Sequence, residues 1–159
     1  MELNNRYIHM LTSYEIFRKL PGIWAFSRTL VNFQEPQSSG TVTGLAEFRA
    51  VPGVQDLLHY FEKGTFVTEA GAKFPIQREY FFEFNEKNRN IEKYYATDGA
   101  KGGLLYALSA NLTGEHLCGE DTYKANYQFP SDDSKEFTLT YEVTGPIKNY
   151  TSKTRYTCT

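Results

Sequence analysis

Cysteine is scarce in this 159-residue chain, with two residues, and tryptophan is scarcer, with one. Two cysteines allow a single disulfide at most, so no disulfide framework staples the fold, and no C-x-x-C spacing for zinc is present. Charge of one sign is lacking too. The 17 basic and 19 acidic side chains leave a net charge of -2, which removes the electrostatic footprint of a nucleic-acid or anionic-membrane binder. No apolar run approaches the roughly 20 residues that span a bilayer as a helix. The stretch from Met1 to Leu11 has no basic start, unbroken apolar run or small-residue cleavage site, so it does not read as a secretory signal. We therefore expect a cytoplasmic protein with Cys118 and Cys158 as reduced thiols and Cys118 buried and inert. In that compartment the N-x-S/T matches at Asn111 and Asn149 carry no sugar. There is no G-x-S-x-G nucleophile motif, and G-A-K-G-G from Gly99 to Gly103 lacks the Ser or Thr that would follow in a phosphate cradle. No fixed-period repeat or low-complexity segment is visible.

Aromatic residues are abundant at 16%, with 12 Tyr and 12 Phe, a composition that favours strands. One helix is expected over residues 12–20. Thr12 and Glu15 form a capping box, Leu20-Pro21-Gly22 supplies the stop, and Ile16, Phe17 and Leu20 fall on one side. From Gly22 onward the pattern alternates with period two between turn clusters, including Lys63-Gly64 and Pro130 to Ser134. The strands predicted are about 22–35, 41–51, 55–62, 65–70, 75–85, 90–97, 103–110, 115–129, 136–145 and 148–157. No helix separates them, so neighbours are antiparallel. The chain is expected to be all-β and a single domain over residues 1–159, with an up-and-down barrel of eight to ten strands at 22–157. Closure removes the sheet edges, and a barrel of about eight or more strands has room for a small ligand.

Alternation then assigns an interior. If Trp24 points inward, so do Phe26, Arg28 and Leu30. Gly44, Ala46, Phe48 and Ala50 share a face, with small residues leaving space. Leu58, Tyr60 and Glu62 share another, as do Arg78, Tyr80, Phe82 and Phe84, and Tyr123, Ala125, Tyr127 and Phe129. Continuing backward places Asp121 inward, and a bulge at Gly119 would bring Cys118 and His116 in as well. The candidate ligand-binding set is Arg28, Tyr60, Glu62, Arg78, Tyr80, His116, Asp121 and Tyr123. Buried charges cost several kcal/mol each unless paired. Two explanations are open: Arg28 and Arg78 pair with Glu62 and Asp121, or at least one arginine is left to grip an anion with its fork. His9 and His59 read as helix-end and outward-facing.

Gly22-Ile23-Trp24, directly after a short helix, resembles the G-x-W signature of calycin-type barrels, which include lipocalins and fatty-acid-binding proteins. That resemblance implies that Trp24 closes one barrel end with a basic residue of the last strand, here Arg155, across its ring. More narrowly, L-P-G-I-W, Leu58 to Gly64, H-L-C-G-E-D-T-Y from His116 to Tyr123 and T-G-P-x-K-x-Y from Thr144 to Tyr150 resemble the bacterial family domain of unknown function 6314 from Leu20 onward. Arg78 and Tyr80 match in chemistry, not in position, the R-x-Y pair that holds the carboxylate in fatty-acid-binding proteins. The expected function is binding of a small molecule, anionic and partly apolar, with no cofactor and no metal; nothing sets the oligomeric state. Two alternatives follow from the resemblance. Calycin-like phenolic acid decarboxylases use interior Arg, Glu and Tyr, residue types supplied here by Arg28, Glu62, Tyr60 and Tyr80. Nitrobindin-like barrels bind haem through one histidine, and His116, Cys118 and Asp121 offer donors here.

Overall fold

A computed structural model describes residues 10–130 and 135–159; His9 and most of the Pro130 to Ser134 turn lie outside them. Helix α1 (Ser13–Lys19) starts at Thr12, whose hydroxyl accepts from the Glu15 N–H while the Glu15 carboxylate accepts from the Thr12 N–H. That reciprocal cap satisfies two of the end donors that a helix leaves unpaired.

The remaining chain forms ten antiparallel strands in one sheet: β1 (Gly22–Asn32), β2 (Gly40–Ala50), β3 (Leu57–Thr68), β4 (Lys73–Asn85), β5 (Asn90–Thr97), β6 (Ala100–Ala107), β7 (Thr113–Cys118), β8 (Asp121–Gln128), β9 (Glu136–Thr144) and β10 (Tyr150–Cys158). Their spatial order is β6-β5-β4-β3-β2-β1-β10-β9-β8-β7, an up-and-down meander in which the first and last strands by sequence pair with each other. The sheet curls into a nearly closed barrel. Among the described residues no ladder joins β6 to β7; side chains cross that seam instead. Tyr95 OH lies 2.6 Å from His116 Nε2, and the Tyr106 ring packs so close to Gly114 that any side chain there would strike it.

Two expected boundaries are corrected. Lys63-Gly64 is not a turn: β3 runs through it, with Gly64 directly opposite Gly44 on β2. A Cβ at Gly64 would collide with the Thr43 carbonyl, and one at Gly44 with that of Lys63. The glycine pair thus lets the backbones of β2 and β3 approach closely. Conversely, the expected 115–129 strand is two strands, because Gly119 at φ +64° makes a two-residue turn instead of a bulge.

The end of the barrel nearest α1 is solid. Trp24, Phe48, Leu58, Phe82, Phe84 and Phe137 fill it, and Ile16, Phe17 and Leu20 cover it. Each such side chain contributes about 1.5–3 kcal/mol by leaving water. Trp24 Nε1 donates to the Leu20 carbonyl at 2.8 Å, tying strand to helix, and its ring meets Phe137 edge-on at 4.9 Å. Arg155 does not cross the Trp24 ring. It pairs in register with Ser27 and stands exposed on the outer face, because the period-two pleat gives the lumen to Thr154 and Tyr156 instead. No helix of the described residues is long and apolar enough to cross a membrane.

Candidate ligand cavity

Beyond the plug the lumen opens into a cavity of about 400 Å³. In its wall, Arg28 (β1) and Glu62 (β3) are 5% and 2% exposed. The guanidinium forms a bidentate pair with the carboxylate, Nη1 to Oε2 and Nη2 to Oε1 both at 3.0 Å, while Nε donates to Thr154 Oγ1 at 2.7 Å. Tyr60 OH donates to Glu62 Oε1 at 2.8 Å and lies 3.0 Å from Tyr156 OH. Burial alone would push the Glu62 carboxyl up. The hydrogen bond and charge of Arg28, with help from Tyr60 and Arg78, more than offset burial and hold it below its ordinary range. Burial likewise disfavours the Arg28 charge, and Tyr156 and Glu62 outweigh it, holding the guanidinium above its ordinary value. Both groups are ionised and partnered, so the inner pair is one self-satisfied unit.

Lys93 on β5 is treated differently. It is 5% exposed, and its Nζ donates to Tyr141 OH at 3.1 Å and sits 4.0 Å from the centre of the Tyr80 ring. Among the described residues no carboxylate lies within ion-pair distance of it. The Tyr141 hydroxyl continues to Tyr106 at 2.6 Å, and Tyr106 to Tyr127 at 2.8 Å. Burial keeps these three phenols neutral, with their pKa values raised. The same burial pushes the Lys93 ammonium down to about 7; Glu62 opposes the shift, while Arg78 and Arg28 add to it.

The cavity is also lined by Arg78 and Tyr80 (β4), in register with Glu62 and Tyr60, and by Tyr95 (β5), His116 and Cys118 (β7), Tyr123 (β8) and Tyr150 (β10), with Lys148 just ahead of β10. Arg78 is exposed at the mouth, and no hydrogen bond or ion pair joins Arg78 or the Tyr80 hydroxyl to another described residue. Lys148 Nζ donates to Tyr123 OH at 2.7 Å. Four cationic side chains, Arg28, Arg78, Lys93 and Lys148, therefore line the cavity against the single carboxylate of Glu62, which Arg28 already occupies.

Of the eight candidates, Arg28, Tyr60, Glu62, Arg78, Tyr80, His116 and Tyr123 line this cavity. Asp121 does not. It is buried at the end of β8, where Oδ1 accepts from the backbone N–H groups of Ile147 at 3.1 Å and Lys148 at 3.2 Å. The short carboxylate caps the turn ahead of β10, which satisfies it without reaching the lumen. Asp121 consequently does not pair with Arg78. Cys118 is exposed and lines the mouth, contrary to the expected buried thiol. His59 faces away from the lumen, 2.6 Å from Glu79. Among the described residues no group of three or more His, Cys, Asp or Glu is placed to hold a metal ion. The sequence reading missed Lys93, Tyr106, Tyr141 and Tyr156. Ile91, Lys93 and Tyr95 do alternate inward, but Glu92 beside Lys93 makes the segment look like a solvated face.

A helix-plugged, nearly closed meander of antiparallel strands around a lined lumen defines a calycin-like β-barrel. The chain belongs to the family of unknown function DUF6314, whose model matches residues 20–158. Among solved structures it is similar to the S-type phycobiliprotein lyase of Guillardia theta, with a TM-score of 0.61 over 99% of this chain and 98% of that one, at 8% identity. At that identity the likeness is one of fold. No curated protein matches the sequence.

Proposed function

We propose that this protein binds a small, partly apolar anion inside its barrel, with the acidic group on Arg78 and the Tyr80 hydroxyl and the apolar body among the lumenal rings. The observation that carries this reading is the excess of cationic over anionic side chains around the cavity, with no carboxylate among the described residues at ion-pair distance from Arg78 or Lys93. A lumen walled by Phe and Tyr rings suits an apolar body, and an arginine fork fits a carboxylate, sulfonate or phosphate. Arg78 and Tyr80 lie two residues apart on one strand, so both project from the same face. Arg28 is not the ligand's partner, because its fork is filled by Glu62. That pairing also weighs against a lumenal enzyme in which Arg28 holds a substrate carboxylate. Haem ligation through His116 gains no support, since Tyr95 holds its Nε2. Both cysteines are free thiols, which fits a reducing, cytoplasmic setting.

A fluorescence titration with 8-anilinonaphthalene-1-sulfonate, an anion with a three-ring apolar body, tests the reading. Saturable binding of one molecule per barrel is the result expected. No binding, or several weak sites insensitive to substitution of Arg78, overturns it.

A further inference from the structure

The amine of Lys93 has a setting that anion binding does not explain. A lysine whose purpose is charge needs a partner or water; Lys93 is buried, and among the described residues no carboxylate lies at ion-pair distance from it. Its Nζ is enclosed by the rings of Tyr80, Phe82, Tyr106 and Tyr141 at 4.0–5.7 Å from their centres. Ordinary alternation along β5 aims it inward, in register with Tyr106 on β6, and the β5–β6 ladder becomes irregular only after it. Lys93 lies level with Phe82 on the neighbouring strand, four residues deeper along β4 than Arg78. The charged and titratable groups acting on it are Glu62 from β3, Arg78 and Tyr80 from β4, Tyr106 from β6, Tyr141 from β9 and Arg28 from β1. Two of the three ions are cations, and Glu62 is already neutralised by Arg28.

We propose that Lys93 is a nucleophilic amine that captures the carbonyl of an aldehyde or ketone ligand as an imine inside the barrel. This rests on the reading above only in that the lumen admits a small molecule; it adds that the inner end of that molecule carries a carbonyl. The step balances without redox. The neutral Nζ lone pair attacks the carbonyl carbon, and the carbonyl oxygen becomes a hydroxyl by taking up a proton. Loss of that hydroxyl with the second nitrogen proton as water leaves the C=N bond. Tyr141 OH, in hydrogen-bond contact with Nζ and with Tyr106 OH, is placed to relay the proton. A lysine desolvated among apolar groups and near other cations is the arrangement that makes the neutral amine available at ordinary pH, and the lowered pKa of Lys93 agrees with it.

Reductive trapping tests the proposal. The intact protein is incubated near pH 7 with 4-carboxybenzaldehyde and cyanoborohydride, and the adducts are mapped by peptide mass spectrometry. Lys93 should be modified at least tenfold faster than any surface lysine, with a rate that climbs through pH 7 as the amine loses its proton. The adduct should disappear from Lys93→Met while the slow surface labelling persists. Modification of Lys93 no faster than of surface lysines overturns the proposal, and because that comparison is made in the unaltered protein it does not depend on how the variant folds. One-to-one binding of 8-anilinonaphthalene-1-sulfonate without Lys93 labelling sinks the imine alone. Labelling of Lys93 by benzaldehyde, with no binding of the sulfonate, sinks the anion reading alone.

Discussion

Arg28 and Lys93 are both about 5% exposed, and both line the same cavity, yet the fold handles their charges in opposite ways. Arg28 is given a bidentate carboxylate and a threonine hydroxyl, with the carboxylate held in turn by Tyr60. Lys93 is given rings and a single phenol. A guanidinium cannot shed its proton, so a buried one must be matched; an amine can, and so need not be. The contrast separates a polar pair that satisfies itself from an amine held among rings, level with Phe82 of the plug. It also shows that burial of charge in a barrel is no uniform sign of a ligand site.

Breaking that contrast at its stronger side gives the largest effect. Glu62→Gln leaves the Arg28 guanidinium buried without a counter-ion and should cost about 3–5 kcal/mol of unfolding free energy in urea melts. At the weaker side, the pH dependence of stability should carry the signature of Lys93. Its folded pKa lies below its unfolded one, so between about pH 7 and 10 the unfolded chain binds more protons and stability rises with pH. The rise should amount to a few kcal/mol at most and should vanish in Lys93→Met. Above about pH 10 the trend reverses, because the buried Tyr60, Tyr106, Tyr127 and Tyr156 have raised pKa values and resist the ionisation that the unfolded chain allows. At the mouth, Arg78→Ala should weaken sulfonate binding about tenfold or more, near the 1.5–3 kcal/mol of a charge-assisted hydrogen bond, without shifting the urea midpoint. The smallest effect is expected for Asp121→Ala, which removes two backbone hydrogen bonds at the turn ahead of β10 and should cost about 1 kcal/mol of stability while leaving binding unchanged.

Period-two alternation made most of the lumen legible, since it follows directly from the pleat. Trp24, Phe26 and Arg28 face inward as β1 predicts, and so do Tyr60 and Glu62 on β3. The capping box at Thr12 set the helix start. Alternation fails where chain direction changes without a change in composition. Gly64 and Gly119 are both single glycines among strand formers; one lies inside a strand opposite a second glycine and the other turns a hairpin. Only the cross-strand partner distinguishes them, and that partner is 20 residues away in sequence for Gly64. Asp121 obeyed burial but not facing, because a carboxylate at a strand end finds backbone donors in the neighbouring loop. Lys93 was hidden by its neighbour: two adjacent charged residues read as solvated, whereas Glu92 is held by Asn85 and Tyr94 on the other face. The gap between β6 and β7, bridged by Tyr95 and His116, depends on the curl of the whole sheet.

Calorimetric comparison of 8-anilinonaphthalene-1-sulfonate with uncharged N-phenyl-1-naphthylamine, two molecules with the same rings and different charge, bears most directly on a lumen built for anions. Binding of the sulfonate at least tenfold tighter, one per barrel, is the outcome predicted by the unpaired cations of the cavity. Equal affinity for the two, or preference for the uncharged amine, would contradict it.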